Sequence, residues 1–253
     1  MSMMSKGHPS GVVDGAVDRP ALETFYVFAV WMFGDRRAAL ERAAEVVRAA
    51  PDGDLMAWVA ALIRALALSE PRGRGRADPF AALAELLSVD RTVPVGLSHP
   101  AVAGEPLRLR VLQWELKRAC LSGAVRALWP TRRALFVLLH VLTMPASWVA
   151  ATFETSVSSV RITNARTLRT LEGYLRSRCQ HLSPQNPCAC ESRLGVALEA
   201  AFVDWPAEVE SSDSPVFDGE PHDLASLYHA LPAYRLDAPG AALLGSARAG
   251  PHA

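Results

Sequence analysis

The stretch MPASWVAATFETSVSSVRITNARTLRTL, Met144–Leu171, carries two helical signals separated by a short polar break. Pro145 suits the first turn of a helix, and apolar spacing carries that helix to Phe153. Glu154, Thr155 and Ser156 form the break, and Ser156 has the side chain of an N-cap for a second helix. At about 100° per residue, Val157, Val160, Asn164, Leu168 and Leu171 fall in one sector of that helix. Ser158, Arg161, Ile162, Ala165, Arg166 and Arg169 fall on the other side. The pattern reads as a helix-turn-helix whose second helix has a buried stripe and a small, polar, cationic face. Such a face suits a DNA major groove, where arginine pairs with guanine or holds phosphates. An ordinary amphipathic helix with a solvated arginine face has the same pattern.

Helical signals continue on both sides. LRLRVLQWELKRACLSGAVRALW and TRRALFVLLHVL precede the motif, and LRTLEGYLRSR ends it. Further upstream, ALETFYVFAVWMF has a broad apolar face. DRRAALERAAEVVRAA repeats Ala and Val at helical spacing, with Asp35 placed to cap it. LMAWVAALIRALAL is apolar nearly all round, which predicts deep packing, and FAALAELLSV is a further short helix. No alternating strand pattern and no internal repeat stand out. The expected fold is therefore all-α, with two small helical domains joined by a linker. Its parts are a leader (1–20), a first helical domain (21–88), a Pro- and Gly-marked linker (89–106) and a helix-turn-helix domain (107–178). A Cys/His-containing extension (179–200) and a weakly ordered, acidic, Pro-containing tail (201–253) follow, with one helical signal at DLASLYHAL.

The 253 residues have no formal net charge, but the charge is unevenly spread. Residues 131–178 hold seven arginines against two glutamates, while residues 199–223 hold eight acids and no Lys or Arg. A basic block followed by an acidic one predicts a surface for an anionic partner and a stretch that folds back to oppose it. No apolar run is long enough to span a bilayer, so no membrane partner is expected. MSMMSKGHPSGVV lacks the apolar core of a secretion signal. Four cysteines without such a signal predict a reducing, cytoplasmic compartment. No phosphate loop, nucleophile elbow or zinc-protease motif is present, so catalysis is not expected. His140, on the apolar FVLLHVL run, reads as a satisfied core or interface histidine.

From Leu128 to Leu175 the chain resembles region 4 of extracytoplasmic-function sigma factors, in the sigma-70 family. LWPTRRALFVLLHVLTMPASWVAATFETSVSSVRITNARTLRTLEGYL aligns with that pattern without gaps. Arg133 matches the arginine after the family's Leu-Pro, and Val149 and Ala150 match its Ile-Ala. Ser156, Val157, Val160 and Arg161 match the Ser-Val-x-x-Val-Lys/Arg that opens the recognition helix, and Arg166 matches the arginine one turn on. Trp148 stands where a Glu is usual, and Glu154 stands where the turn glycine is usual. Residues 22–76 are similar to region 2, through Gly34, Asp35, Ala39, Glu41, Glu45, Trp58, Arg64 and Arg72. There Leu40 and Ala44 replace the acid and glutamine of the polymerase-facing surface, and Ala65 replaces an Asn. For Trp58 and Tyr26 the alternatives are core packing and stacking on opened DNA strands.

The resemblance implies a sigma-like transcription initiation factor. It would bind core RNA polymerase through the helix around Glu41 and Glu45. It would bind double-stranded promoter DNA through Ser158, Arg161, Ala165, Arg166 and Arg169, with Arg132 and Arg133 on phosphates. An anti-sigma factor is a further implied partner. The alternative is a degenerate sigma-like protein that serves as a non-catalytic regulatory or protein-interaction module sensing metal or redox state.

The stretch SRCQHLSPQNPCAC, Ser177–Cys190, bears on that alternative. Cys179, His181, Cys188 and Cys190 are the ligand types of a tetrahedral structural zinc site, and soft thiolates also take Cu(I). Reduced thiols packed on a helix turn, or a disulfide from Cys179 to Cys188 or Cys190, fit the same residues. A similar RCxHxxPxNPCxC stretch follows region 4 in some members of the family. Cys120 lies in a helical stretch and reads as a small buried hydrophobe.

Overall fold

The computed structural model describes residues 19–69, 95–96, 98–200, 202–203, 223–231 and 234–249. Nearly all of the expected leader, the FAALAELLSV helix, the first part of the linker (89–94) and most of the acidic stretch lie outside these residues. The described chain is all-α. Its only bridge-type backbone pairing is an isolated one between Cys179 and Cys188.

The first three helices are α1 (Arg19–Phe33), α2 (Arg36–Ala49) and α3 (Leu55–Ser69). α1 is the central element, and every residue from Phe25 to Met32 is buried. It ends at Gly34, whose φ of 80° is the left-handed conformation glycine adopts at no steric cost. A Cβ there would stand 2.4 Å from the Arg126 guanidinium. Asp35 caps α2 as expected, accepting from the Ala38 amide at 2.6 Å, and Asp54 accepts from the Ala57 amide at 2.9 Å at the start of α3. α3 is less enclosed than its composition suggests. Trp58, Val59, Leu62, Ile63 and Leu66 are buried, but Leu68 is exposed.

The long helix α4 (Pro106–Arg126) leads into α5 (Pro130–Phe136), which continues as a π-helical turn over Val137–Val141. Then follow α6 (Ala146–Thr152), α7 (Val157–Leu175), α8 (Cys190–Glu199), α9 (Leu224–His229) and α10 (Ala238–Ala249). One hydrophobic cluster runs through α1, α2, α3, α4, α5, α6, α7, α9 and α10, so helices from both expected domains share it. A smaller cluster joins Val102, at the end of the linker, to Leu112 and Leu116 of α4, Leu194 and Ala197 of α8, and Val203.

The tail departs from the expectation of weak order. Residues 223–231 and 234–249 are built into the core. Tyr228 is fully buried, and its hydroxyl donates to the Leu121 carbonyl at 2.9 Å. Its ring meets Phe136 edge-on at 4.7 Å between centroids and lies 5.9 Å from Trp31. Tyr234 is flanked by two guanidiniums, Arg118 at 4.1 Å and Arg36 at 5.3 Å from the ring centroid. α10 then lies along α2 and α1. The contact is close because its inner face is small: Gly240, Ala241, Leu244 and Ala247 meet a face of α2 rich in alanine. The sequence hid this because a stripe of Gly and Ala carries little hydrophobic signal.

Candidate nucleic-acid interface

The helix-turn-helix forms as read. Pro145 precedes α6, whose helix closes at Phe153. The Thr155 amide then donates back to the Ala150 carbonyl at 2.9 Å. Glu154 takes a φ of 51°, the left-handed conformation that glycine adopts freely and other residues adopt at a cost. Ser156 caps α7, its Oγ accepting from the Ser159 amide at 3.1 Å.

α7 buries Val160, Thr167, Leu171, Tyr174 and Leu175. Val157, Asn164 and Leu168 are half-buried, so the inner stripe lies where the spacing placed it. Asn164 is held by His140 of the π-helical turn, whose Nε2 lies 2.8 Å from the amide oxygen. His140 is thus a satisfied interface histidine. Burial pushes its pKa below the ordinary value, while the Asn164 bond and the Asp223 charge pull the other way.

Ser158, Arg161, Ile162, Ala165, Arg166 and Arg169 are all exposed on the opposite face. Arg161 and Arg166 make no ion pair with a described acid, and the Arg169 Nε donates to its own helix at the Ala165 carbonyl, 3.3 Å away. The face is therefore mostly small, polar and cationic, with the apolar Ile162 among these residues. Arg132 is half-exposed on α5.

Arg133 does not belong to this interface, which corrects the expectation that it holds phosphate. It is 4% exposed. Its Nη1 donates to the Met32 carbonyl at 2.7 Å, and its Nη2 donates to the carbonyls of Arg126 at 2.8 Å and Leu128 at 3.1 Å. Met32 lies in the last turn of α1 and Arg126 ends α4. The guanidinium therefore closes two helix C-termini, where unpaired carbonyls and the negative dipole end favour a cation.

On the expected polymerase-facing side, Glu41 and Glu45 are exposed on α2. Each is paired along its own helix, Arg37 to Glu41 at 3.0 Å and Arg42 to Glu45 at 2.7 Å. The adjoining sector is covered. Leu40 lies against α10, where a Cβ on Gly240 would be 3.5 Å from its Cδ1, and Ala44 is 3% exposed. Leu40 thus meets α10, and Ala44 belongs to the core cluster. Trp58 and Tyr26 are both core residues. The Trp58 indole donates to the Ala50 carbonyl at 2.8 Å, and the ring lies 5.7 Å from Phe25.

The Cys/His extension is a tight loop between α7 and α8. Asn186 folds it, its amide donating to the carbonyls of Arg176 at 2.6 Å and Cys179 at 2.8 Å. Cys188 pairs by its backbone with Arg178 and Gln180. The four expected metal ligands are neighbours, but they do not converge. Among the described residues no three His, Cys, Asp or Glu side chains are placed to hold an ion together. Each sulfur has a different partner. The Cys179 thiol faces the backbone amides of His181 and Leu182, and Cys188 faces Arg193. Cys190 lies 3.3 Å from the Nε2 of His181. Burial raises the pKa of all three thiols. As they are placed, the four side chains do not form a tetrahedral centre. All four cysteines are free thiols.

Cys120 was read as a lone hydrophobe, yet it lies near enough to the other three that their thiolates would push its pKa still further up. A cavity of about 250 Å³ opens beside this loop, lined by Arg110, Trp114, Lys117, Gln180, His181 and Cys190 among others. Neither feature has a sequence signal, because both depend on where α4 passes the loop.

No family model, no curated protein and no solved structure matches the chain. No described helix is long and apolar enough to cross a membrane.

Proposed function

We propose that this chain is a sigma-like transcription initiation factor, non-enzymatic and cytoplasmic, that binds core RNA polymerase and places α7 in the major groove of promoter DNA. The observation that carries the reading is the outer face of α7. α7 is a helix capped by Ser156 with Ser158, Arg161, Ala165, Arg166 and Arg169 all exposed. Arg132 adds a cation on α5. An anti-sigma partner that blocks either surface belongs to the same proposal.

A second reading has its own support. Leu40 of α2 is packed against α10 and Ala44 is buried, which removes part of the surface a polymerase would need. On that reading the protein is a degenerate sigma-like regulator that keeps the fold and not the polymerase contact.

Mixing the full chain with core RNA polymerase on a sizing column separates the two. Co-elution in a stable complex is the outcome expected of an initiation factor. A folded protein that elutes alone beside the polymerase would reject that reading in favour of the regulator.

A further inference from the structure

Ile162 is a large apolar side chain with no partner in the fold. It is 55% exposed, and among the described residues only Leu68 and Leu243 are large hydrophobics also left exposed. An isoleucine here gains little burial, and its branched Cβ makes it a weaker helix former than alanine. Folding therefore gives no reason for it. Its position does. At about 100° per residue, Ser158, Ile162, Ala165 and Arg169 lie between Arg161 and Arg166 on the exposed sector, which continues past Arg166 to Ser159 and Thr170. Cations that flank this central strip suit the phosphates that border a groove, and the strip between them meets base edges. The N-terminal turns of a recognition helix reach deepest, and Ile162 sits in the second turn of α7. Ala165, one turn further on, is small enough not to hold the helix off the groove floor.

The major-groove edges of the bases are almost wholly donors and acceptors. The one apolar group they present is the C5-methyl of thymine. From this we infer that Ile162 reads a thymine methyl in the recognised site, so that the protein selects an A·T pair by apolar contact beside its arginine contacts. The inference rests on the DNA-binding reading above and names what that surface selects.

The test begins with a pool of duplexes carrying a random segment of roughly 20 base pairs, two helical turns, selected with the full-length chain. Each thymine in the selected sequence is then replaced by uracil, which removes the methyl and nothing else. The expected result is that at one or two positions uracil weakens binding about fourfold, the factor for one buried methyl group. Ile162→Ala should bind the thymine and uracil duplexes equally, lose the preference at that position, and keep the salt dependence of the native protein. Its far-UV circular dichroism should match the native spectrum, since the site is exposed. Unchanged affinity with uracil at every selected position would overturn the inference, as would an Ile162→Ala protein that keeps its thymine preference. Recovery of no duplex at all is a different failure: it removes the DNA-binding reading itself, and this inference with it.

Discussion

Replacing Arg133 by methionine tests whether its guanidinium serves the core or DNA. Methionine keeps the apolar stem and removes the donors to Met32, Arg126 and Leu128. A buried carbonyl left without a partner costs about 1–3 kcal/mol. The three carbonyls share one guanidinium, and the Leu128 contact is the longest, so their costs do not add in full. Bonds to a charged group contribute about 1.5–3 kcal/mol each, so the loss of the three together is expected to cost about 3–5 kcal/mol. At about 2–4 °C per kcal/mol for a protein of this size, Tm should fall by roughly 6–20 °C. The assay is thermal and urea unfolding followed by circular dichroism, with Arg132→Met beside it. The neighbouring substitution should leave stability within about 0.5 kcal/mol and weaken duplex binding instead. The reasoning is refuted if Arg133→Met unfolds within about 1 kcal/mol of the native protein, a change the size of an average point substitution, and loses DNA affinity as Arg132→Met does.

Glu154 holds a left-handed φ of 51°, which costs a residue with a Cβ about 1–2 kcal/mol. Glycine removes that cost and gives back about 0.5–1 kcal/mol through the freer unfolded chain. Glu154→Gly should therefore raise the urea midpoint by the equivalent of about 0.5–1 kcal/mol, and a lower midpoint would contradict the strain argument. His140 has a pKa depressed below the ordinary 6.5 by burial, so the unfolded chain takes up its proton first. Its contribution to stability is complete above 6.5 and is lost as pH falls through the depressed folded value. The slope from this one group is at most about 1.4 kcal/mol per pH unit. His140→Gln should flatten the stability profile below pH 6.5 relative to the native chain, and parallel profiles would rule His140 out as the source.

What the sequence revealed was local. Asp35 and Ser156 cap α2 and α7 because a cap needs only its own next three residues. The inner stripe of α7 follows from helical spacing alone. Arg133 was misread because nothing in its neighbourhood in the chain tells a buried arginine from an exposed one. Its Met32 partner lies 101 residues away. The metal reading failed for a related reason. Spacing put four ligand types in one loop, but the directions of their side chains depend on Asn186, Arg193 and backbone amides that spacing does not encode. Tyr228 was legible only as part of a short helix, and its partners Trp31 and Phe136 belong to α1 and α5.

That last separation has a consequence for synthesis. Tyr228 bonds to a carbonyl 107 residues upstream, so the hollow between Trp31, Phe136 and Leu121 stays open until the ribosome has made α9. At about 5–20 residues per second the earlier helices wait roughly 5 to 20 seconds with an aromatic-lined surface facing solvent. A nascent chain halted before Leu224 would be a good substrate for chaperones, whereas the same chain released a few dozen residues later would bury that surface.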